Sequence, residues 1–144
     1  MARVVFDAVV FVRALLNPRS PWGRLVFDYG DRYQLVVSPA IVDEVVGVLA
    51  RPKIVHRLSD RPNRDVAAVR AILASAASIS PASIGRISRD PKDDIYPATA
   101  AAAGAAFVVS EDRDLLDLGA YEGVRIIDAE TFLRLLDTGE LEVR

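Results

Sequence analysis

Val4-Val5-Phe6-Asp7-Ala8-Val9-Val10-Phe11-Val12 is apolar at every position but one, and its apolar residues do not alternate with polar ones. A strand with one wet face alternates, so Val4-Phe6 predicts a strand covered on both faces by helices. Three further runs share this character: Leu35-Val37, Phe107-Val109 and Arg125-Ile127. Around them lie segments with helical spacing, Phe11-Leu16, Pro21-Tyr29, Pro39-Ala50, Arg64-Ser78, Asp94-Ala103 and Ala129-Leu136. Strand and helix in turn are the βαβ pattern, wound with right-handed crossovers. The expected class is therefore α/β, a three-layer α/β/α fold with a central parallel sheet of four to five strands.

Local signals agree with these boundaries. Ser38-Pro39 opens a helix with an N-cap hydroxyl and a proline at the first helical position. Gly104 closes the alanine-rich helix, and Ala98-Ala103 is small enough to pack closely on a sheet as scaffold. The stretch Ser80-Arg89, with Pro81 and Gly85, predicts a strand end and loop.

The 144 residues include no cysteine, so disulfides, thiolate metal sites and cysteine nucleophiles are excluded. A metal must be held by oxygen or by the single His56. The length suits one domain over residues 1–144 with one core. Without a secretory leader or a run of membrane length, a cytoplasmic protein with no membrane partner is expected. A net charge of -2 gives no global attraction to phosphates, so a nucleic acid must be drawn by a local basic patch or through bound metal.

The carboxylates carry the chemistry. Asp7 falls at the carboxyl end of the first strand, the end that lines the ligand crevice of open α/β sheets. Glu44 lies in the helix after the second strand, flanked by core-facing Ile41, Val45 and Val48. Asp93-Asp94 begins the alanine-rich helix, and Asp112 and Asp114 follow the strand Phe107-Val109. Each alone reads as readily as a turn former or N-cap. Together, four elements deliver carboxylates to one end of the sheet, where like charges raise each other's pKa and a hard divalent cation, Mg²⁺ or Mn²⁺, relieves the repulsion. Such an ion supports phosphodiester hydrolysis without a Cys, Ser or His nucleophile.

These motifs resemble the PIN domain family, and in particular the toxins of toxin-antitoxin pairs akin to VapC-like ribonucleases. Val4-Val12 followed by Ala14-Leu15-Leu16-Asn17-Pro18 is similar to the family's opening strand with its first aspartate. Leu35-Val36-Val37-Ser38-Pro39 through Asp43-Glu44-Val45 resembles the second motif, Arg89-Asp90-Pro91-Lys92-Asp93-Asp94 the third, and Val108-Val109-Ser110-Glu111-Asp112-Arg113-Asp114 the fourth. The resemblance covers nearly the whole chain. It implies Asp7, Glu44, Asp94 and Asp112 as catalytic, metal-binding acids, with Asp93 and Asp114 as accessory ligands and Ser110 orienting the site or the attacking water. It further implies a Mg²⁺- or Mn²⁺-dependent endoribonuclease, a hydrolase acting on RNA, with a small antitoxin protein as partner.

Two positions depart from that pattern. Val9 stands where the family usually has a polar residue, most often Asn; this keeps open a PIN fold used for binding alone. Val9 also argues against an aspartyl-phosphate mechanism of the haloacid-dehalogenase type, which needs an acid there. Pro97 requires a helix that starts near Asp94 or kinks after it, so Asp94 is expected to share its carboxylate with capping N–H groups. Arg13 is a candidate phosphate contact, and Arg51, Lys53, His56, Arg57, Arg61 and Arg64 form a basic segment that reads as an RNA track or a solvated face. Trp22, Phe27 and Tyr29 read as packing or as a dimer surface, and a homodimer is expected.

Overall fold

The computed structural model describes residues 1–60 and 63–140. Arg61 and the side chain of Arg64, both in the basic segment, lie outside the described residues. The elements in chain order are β1 (Arg3–Phe6), α1 (Ala8–Leu16), α2 (Pro21–Gly23) running into a π-helical turn (Arg24–Asp28), β2 (Gln34–Val37), α3 (Pro39–Leu49), α4 (Pro52–Arg57), α5 (Asn63–Ser75) and β3 (Ala77–Ser78). They continue with a 3₁₀ turn (Pro91–Asp93), α6 (Ile95–Ala103), β4 (Phe107–Val109), α7 (Arg113–Leu118), β5 (Ala120–Tyr121), β6 (Val124–Ile127) and α8 (Ala129–Thr138).

The sheet order is β3-β2-β1-β4-β6-β5, parallel except for β5 against β6. All four expected strands occupy its centre. Two short edge strands extend it on either side. Ala77–Ser78, expected as the end of a helix, instead pairs beside β2. The other, β5, joins β6 through Glu122-Gly123, both at positive φ, which is the backbone of a two-residue hairpin turn.

Both faces of the sheet are covered. Val4, Val5 and Phe6, which point alternately to opposite sides, are each at most 1% exposed, as are Phe107, Val108 and Val109. Phe6, Phe107 and Phe132 of α8 pack ring against ring, joined by Phe11 of α1 and by Tyr33. The small residues of α6 let its backbone lie directly on β1, β2 and β4. No helix among the described residues is long and apolar enough to cross a membrane.

Strand register places the first and fourth motifs together. Phe6 pairs with Val109, so the next residues, Asp7 and Ser110, emerge side by side at the carboxyl ends of adjacent central strands. One crossover from β1 leads to β2 and the other neighbour is β4, so this is a switch point of strand order, where α/β folds open their crevice.

Candidate metal centre

Asp7 is the N-cap of α1. Its carboxylate accepts from the Val9 N–H at 3.2 Å and from the Ser110 hydroxyl at 2.7 Å, and the residue is only 5% exposed. Ser110, fully buried, also accepts from the Asp112 N–H at 3.0 Å, so one hydroxyl ties the first and fourth motifs together. Its only proton goes to Asp7, which makes it an orienter of that carboxylate. Asp112 caps α7 through the N–H groups of Asp114 and Leu115. The bonds from Ser110 and Val9 favour the ionised form of Asp7.

Asp93 and Asp94 part company. Asp94, expected among the metal ligands, is 2% exposed and is held away from them: Ser88 donates to it through its N–H at 2.7 Å and its hydroxyl at 2.6 Å, and Ile87 through its N–H at 3.1 Å. Against the burial that would raise it, those bonds and the charge of Arg86 hold its carboxyl below the usual value. α6 does begin after Asp94, with Pro97 in its first turn where a missing N–H costs little, yet the Asp94 side chain caps no N–H of that helix.

Asp93 turns the other way. Its carboxyl is pushed up to about 7, first by burial, then by the negative charges of Asp112, Asp7 and Asp90, and by a hydrogen bond to Asp112 that only the protonated acid can make. One of its oxygens, Oδ2, is buried without a hydrogen-bond partner among the described residues. Asp7 is raised as well, by burial and further by Asp112 and Glu44. Glu44 is exposed on α3 and stands 3.9 Å from the Arg51 guanidinium, which brings the basic segment to the rim of the acids. Asp7, Glu44, Asp93 and Asp112 thus share one electrostatic neighbourhood.

By distance a different set is brought together: among the described residues only one trio has three acidic oxygens close enough to share an ion. Single oxygens of Asp90, Asp93 and Asp114 lie within 4.8 Å of one another. Asp114, however, is paired with Arg89 at 2.9 Å, and Asp90 caps the 3₁₀ turn through the Lys92 N–H. Asp93 belongs to both groupings and is the member with an unspent buried oxygen.

Tyr96, inconspicuous inside the alanine-rich segment, lies one turn beyond Asp93. It is 3% exposed, and its hydroxyl accepts the Ala8 N–H at 3.4 Å. Burial and the charges of Asp7, Glu44 and Asp93 hold its proton on. Arg13 is exposed, with its guanidinium 4.9 Å over the Trp22 ring and its charge acting on half-buried Glu111. Trp22, Phe27 and Tyr29 are half-buried against the core. His56 is exposed.

The repulsion has a measurable sign. An acid whose folded pKa lies above its unfolded value keeps a proton that the unfolded chain has lost, so the stability it contributes at low pH drains away as pH rises. For Asp93 that window runs from its ordinary 3.8 to about 7. In a chelating buffer the melting temperature is expected to fall between pH 5 and pH 8, and the fall is expected to be shallower in Asp93→Asn. A melting curve set that rises over this range in both proteins contradicts the clustering.

The sequence profile of the PIN domain matches residues 3–114. The fold is similar to a chain in the crystal structure of VapBC2 from Rickettsia felis bound to a DNA fragment from their promoter. That likeness has a TM-score of 0.54 and 10% identity over 86% of this chain and 96% of that one. No curated protein matches the chain. With its PIN profile spanning all four acidic motifs, the chain belongs to the PIN domain family.

Proposed function

We propose that this chain is a metal-dependent endoribonuclease whose site is Asp7, Glu44, Asp93 and Asp112. The observation that carries this reading is Asp93, whose buried Oδ2 has no hydrogen-bond partner among the described residues and whose carboxyl feels the charges of Asp112 and Asp7. Ionising this carboxyl beside other carboxylates is costly, and a cation is what such a set of oxygen donors accepts. The donor set is all carboxylate, which suits Mg²⁺ or Mn²⁺ better than softer ions. PIN domains are generally nucleases, and the resemblance of the four motifs to VapC-like ribonucleases supports RNA as substrate.

When bound, the divalent cation supplies Lewis-acid stabilisation of charge building on the scissile phosphate and acidifies water at the site. The protein's own residues do the rest. Ser110 locks the Asp7 carboxylate in direction, the α7 N-terminus holds Asp112, and Asp93 adds a carboxylate from the 3₁₀ turn. Arg51, Lys53 and Arg57 are exposed beyond Glu44 and offer the local positive charge that the chain as a whole lacks. Arg13 is a further candidate contact to the substrate backbone, and Asp114 an accessory acid once released from Arg89. The same reading makes the chain the toxin of a pair, with a small antitoxin closing the cleft, and a homodimer. The VapBC2 fold likeness supports the pairing.

A second reading is a PIN fold kept for binding, favoured by Val9, which is 37% exposed two residues after Asp7 and whose side chain offers no hydrogen bond. Purified protein with Mg²⁺ or Mn²⁺ is expected to cleave single-stranded RNA, and Asp7→Asn and Asp112→Asn are each expected to lose on the order of 100-fold or more, since even indirect supports of a metal cost about 10 to 100-fold. RNA bound with Mn²⁺ but never cut selects the binding module; equal cleavage by parent and both variants refutes the site.

A further inference from the structure

Tyr96 is the large polar side chain in a helix start otherwise built of small and apolar residues, Ile95-Tyr96-Pro97-Ala98-Thr99-Ala100. It sits three residues after Asp93, a spacing that puts the two on one side of a helical turn. Its hydroxyl lies 3.4 Å from the Ala8 nitrogen, the residue after Asp7, and only accepts there. A phenol also has one proton to give, and among the described residues no acceptor takes it. Burying a hydroxyl at 3% exposure for one long bond is unfavourable unless its donor is also used. Phenylalanine would otherwise serve the packing at less cost. Ala8 at the start of α1 is the group in contact with the hydroxyl, and the charges of Asp7, of Glu44 on α3 and of Asp93 in the 3₁₀ turn act on it.

We propose that Tyr96 is a positioning residue for the acid site: its hydroxyl, seated on the Ala8 N–H, donates into the oxygens gathered by Asp7, Glu44 and Asp93 and supplies the hydrogen bond that Val9 cannot. The two positions are alternatives, an amide two residues after Asp7 or a phenol arriving from α6. This inference rests on the metal reading above. It also gives Val9 a reason: with the donor delivered by another element, position 9 is free to be apolar.

The test is titration of metal-free protein with Mn²⁺ alone, followed by calorimetry, on the parent, Tyr96→Phe, Val9→Asn and the double variant. Tyr96→Phe is expected to weaken Mn²⁺ binding about 10-fold, the scale of losing an outer hydrogen bond to a ligand. Val9→Asn is expected to change little alone and to restore binding to within about threefold of the parent in the double variant, a strong departure from additivity. Equal Mn²⁺ affinity in parent and Tyr96→Phe overturns the inference and leaves the metal site standing. Loss in Tyr96→Phe without rescue by Val9→Asn, or loss of its cooperative melting, marks the phenol as structural and also overturns it. A parent that takes no Mn²⁺ overturns the metal reading itself, and this inference with it.

Discussion

Asp93→Asn is expected to reduce metal-dependent RNA cleavage by on the order of 100-fold or more while leaving the melting temperature of the metal-free protein at pH 8 unchanged or higher, the two effects having one cause. Burial is the first penalty on the charge of Asp93, whose Oδ2 has no hydrogen-bond partner among the described residues, and the charges of Asp112, Asp7 and Asp90 add to it. An amide keeps the shape, removes the charge, and relieves the repulsion that the metal-free protein carries. The same change deletes a donor from the cation's cradle, so Mn²⁺ affinity falls with activity. A variant that cleaves RNA as fast as the parent contradicts the assignment of Asp93. One that loses activity through a large drop in melting temperature does not support it either, since it assigns Asp93 to the scaffold.

Its sequence neighbour should behave in the opposite way. Asp94→Ala is expected to destabilise the protein by about 2–4 kcal/mol, because it strips a buried carboxylate from two backbone N–H groups, which are left unsatisfied, and from the Ser88 hydroxyl, which keeps only the Asp90 carbonyl. For a chain of this size that corresponds to a melting temperature lower by roughly 5–15 °C. The cause is local: the loop carrying Ile87 and Ser88 is fastened to the start of α6 through this one side chain. Thermal unfolding by circular dichroism reads it directly. If Asp94→Ala melts with the parent but cannot bind Mn²⁺, the roles of the two aspartates are exchanged.

That pair also marks the limit of what sequence makes legible. Two adjacent acids at a helix start differ by about 100° of rotation, enough to send one into the crevice and one into the protein. What decides between them is a loop six and seven residues upstream, whose Ser88 and Ile87 have no pattern of their own. The central strands are legible because unalternating Val and Ile runs have one good explanation, and Asp7 follows because a strand's carboxyl end is a fixed place in this architecture. The pairing of Phe6 with Val109, which sets Asp7 against Ser110, is tertiary and has no local trace. β3 and β5 are two residues each, too short for any period to register, although Glu122-Gly123 before Val124 carries a hairpin signal. Tyr96 is hidden by its company: a run of alanines reads as packing, and the one phenol beside them takes its meaning only from Ala8 and the acids beyond it.

In the proposed function Asp7, Asp93 and Asp112 act on one cation. Anomalous diffraction from crystals soaked in Mn²⁺ would locate that ion. The predicted result is a single strong peak within coordination distance, about 2.0–2.2 Å, of carboxylate oxygens from Asp93 and at least one of Asp7 and Asp112. A peak held by Asp94, or one held by Asp90 and Asp114 with Asp7 and Asp112 untouched, would contradict it.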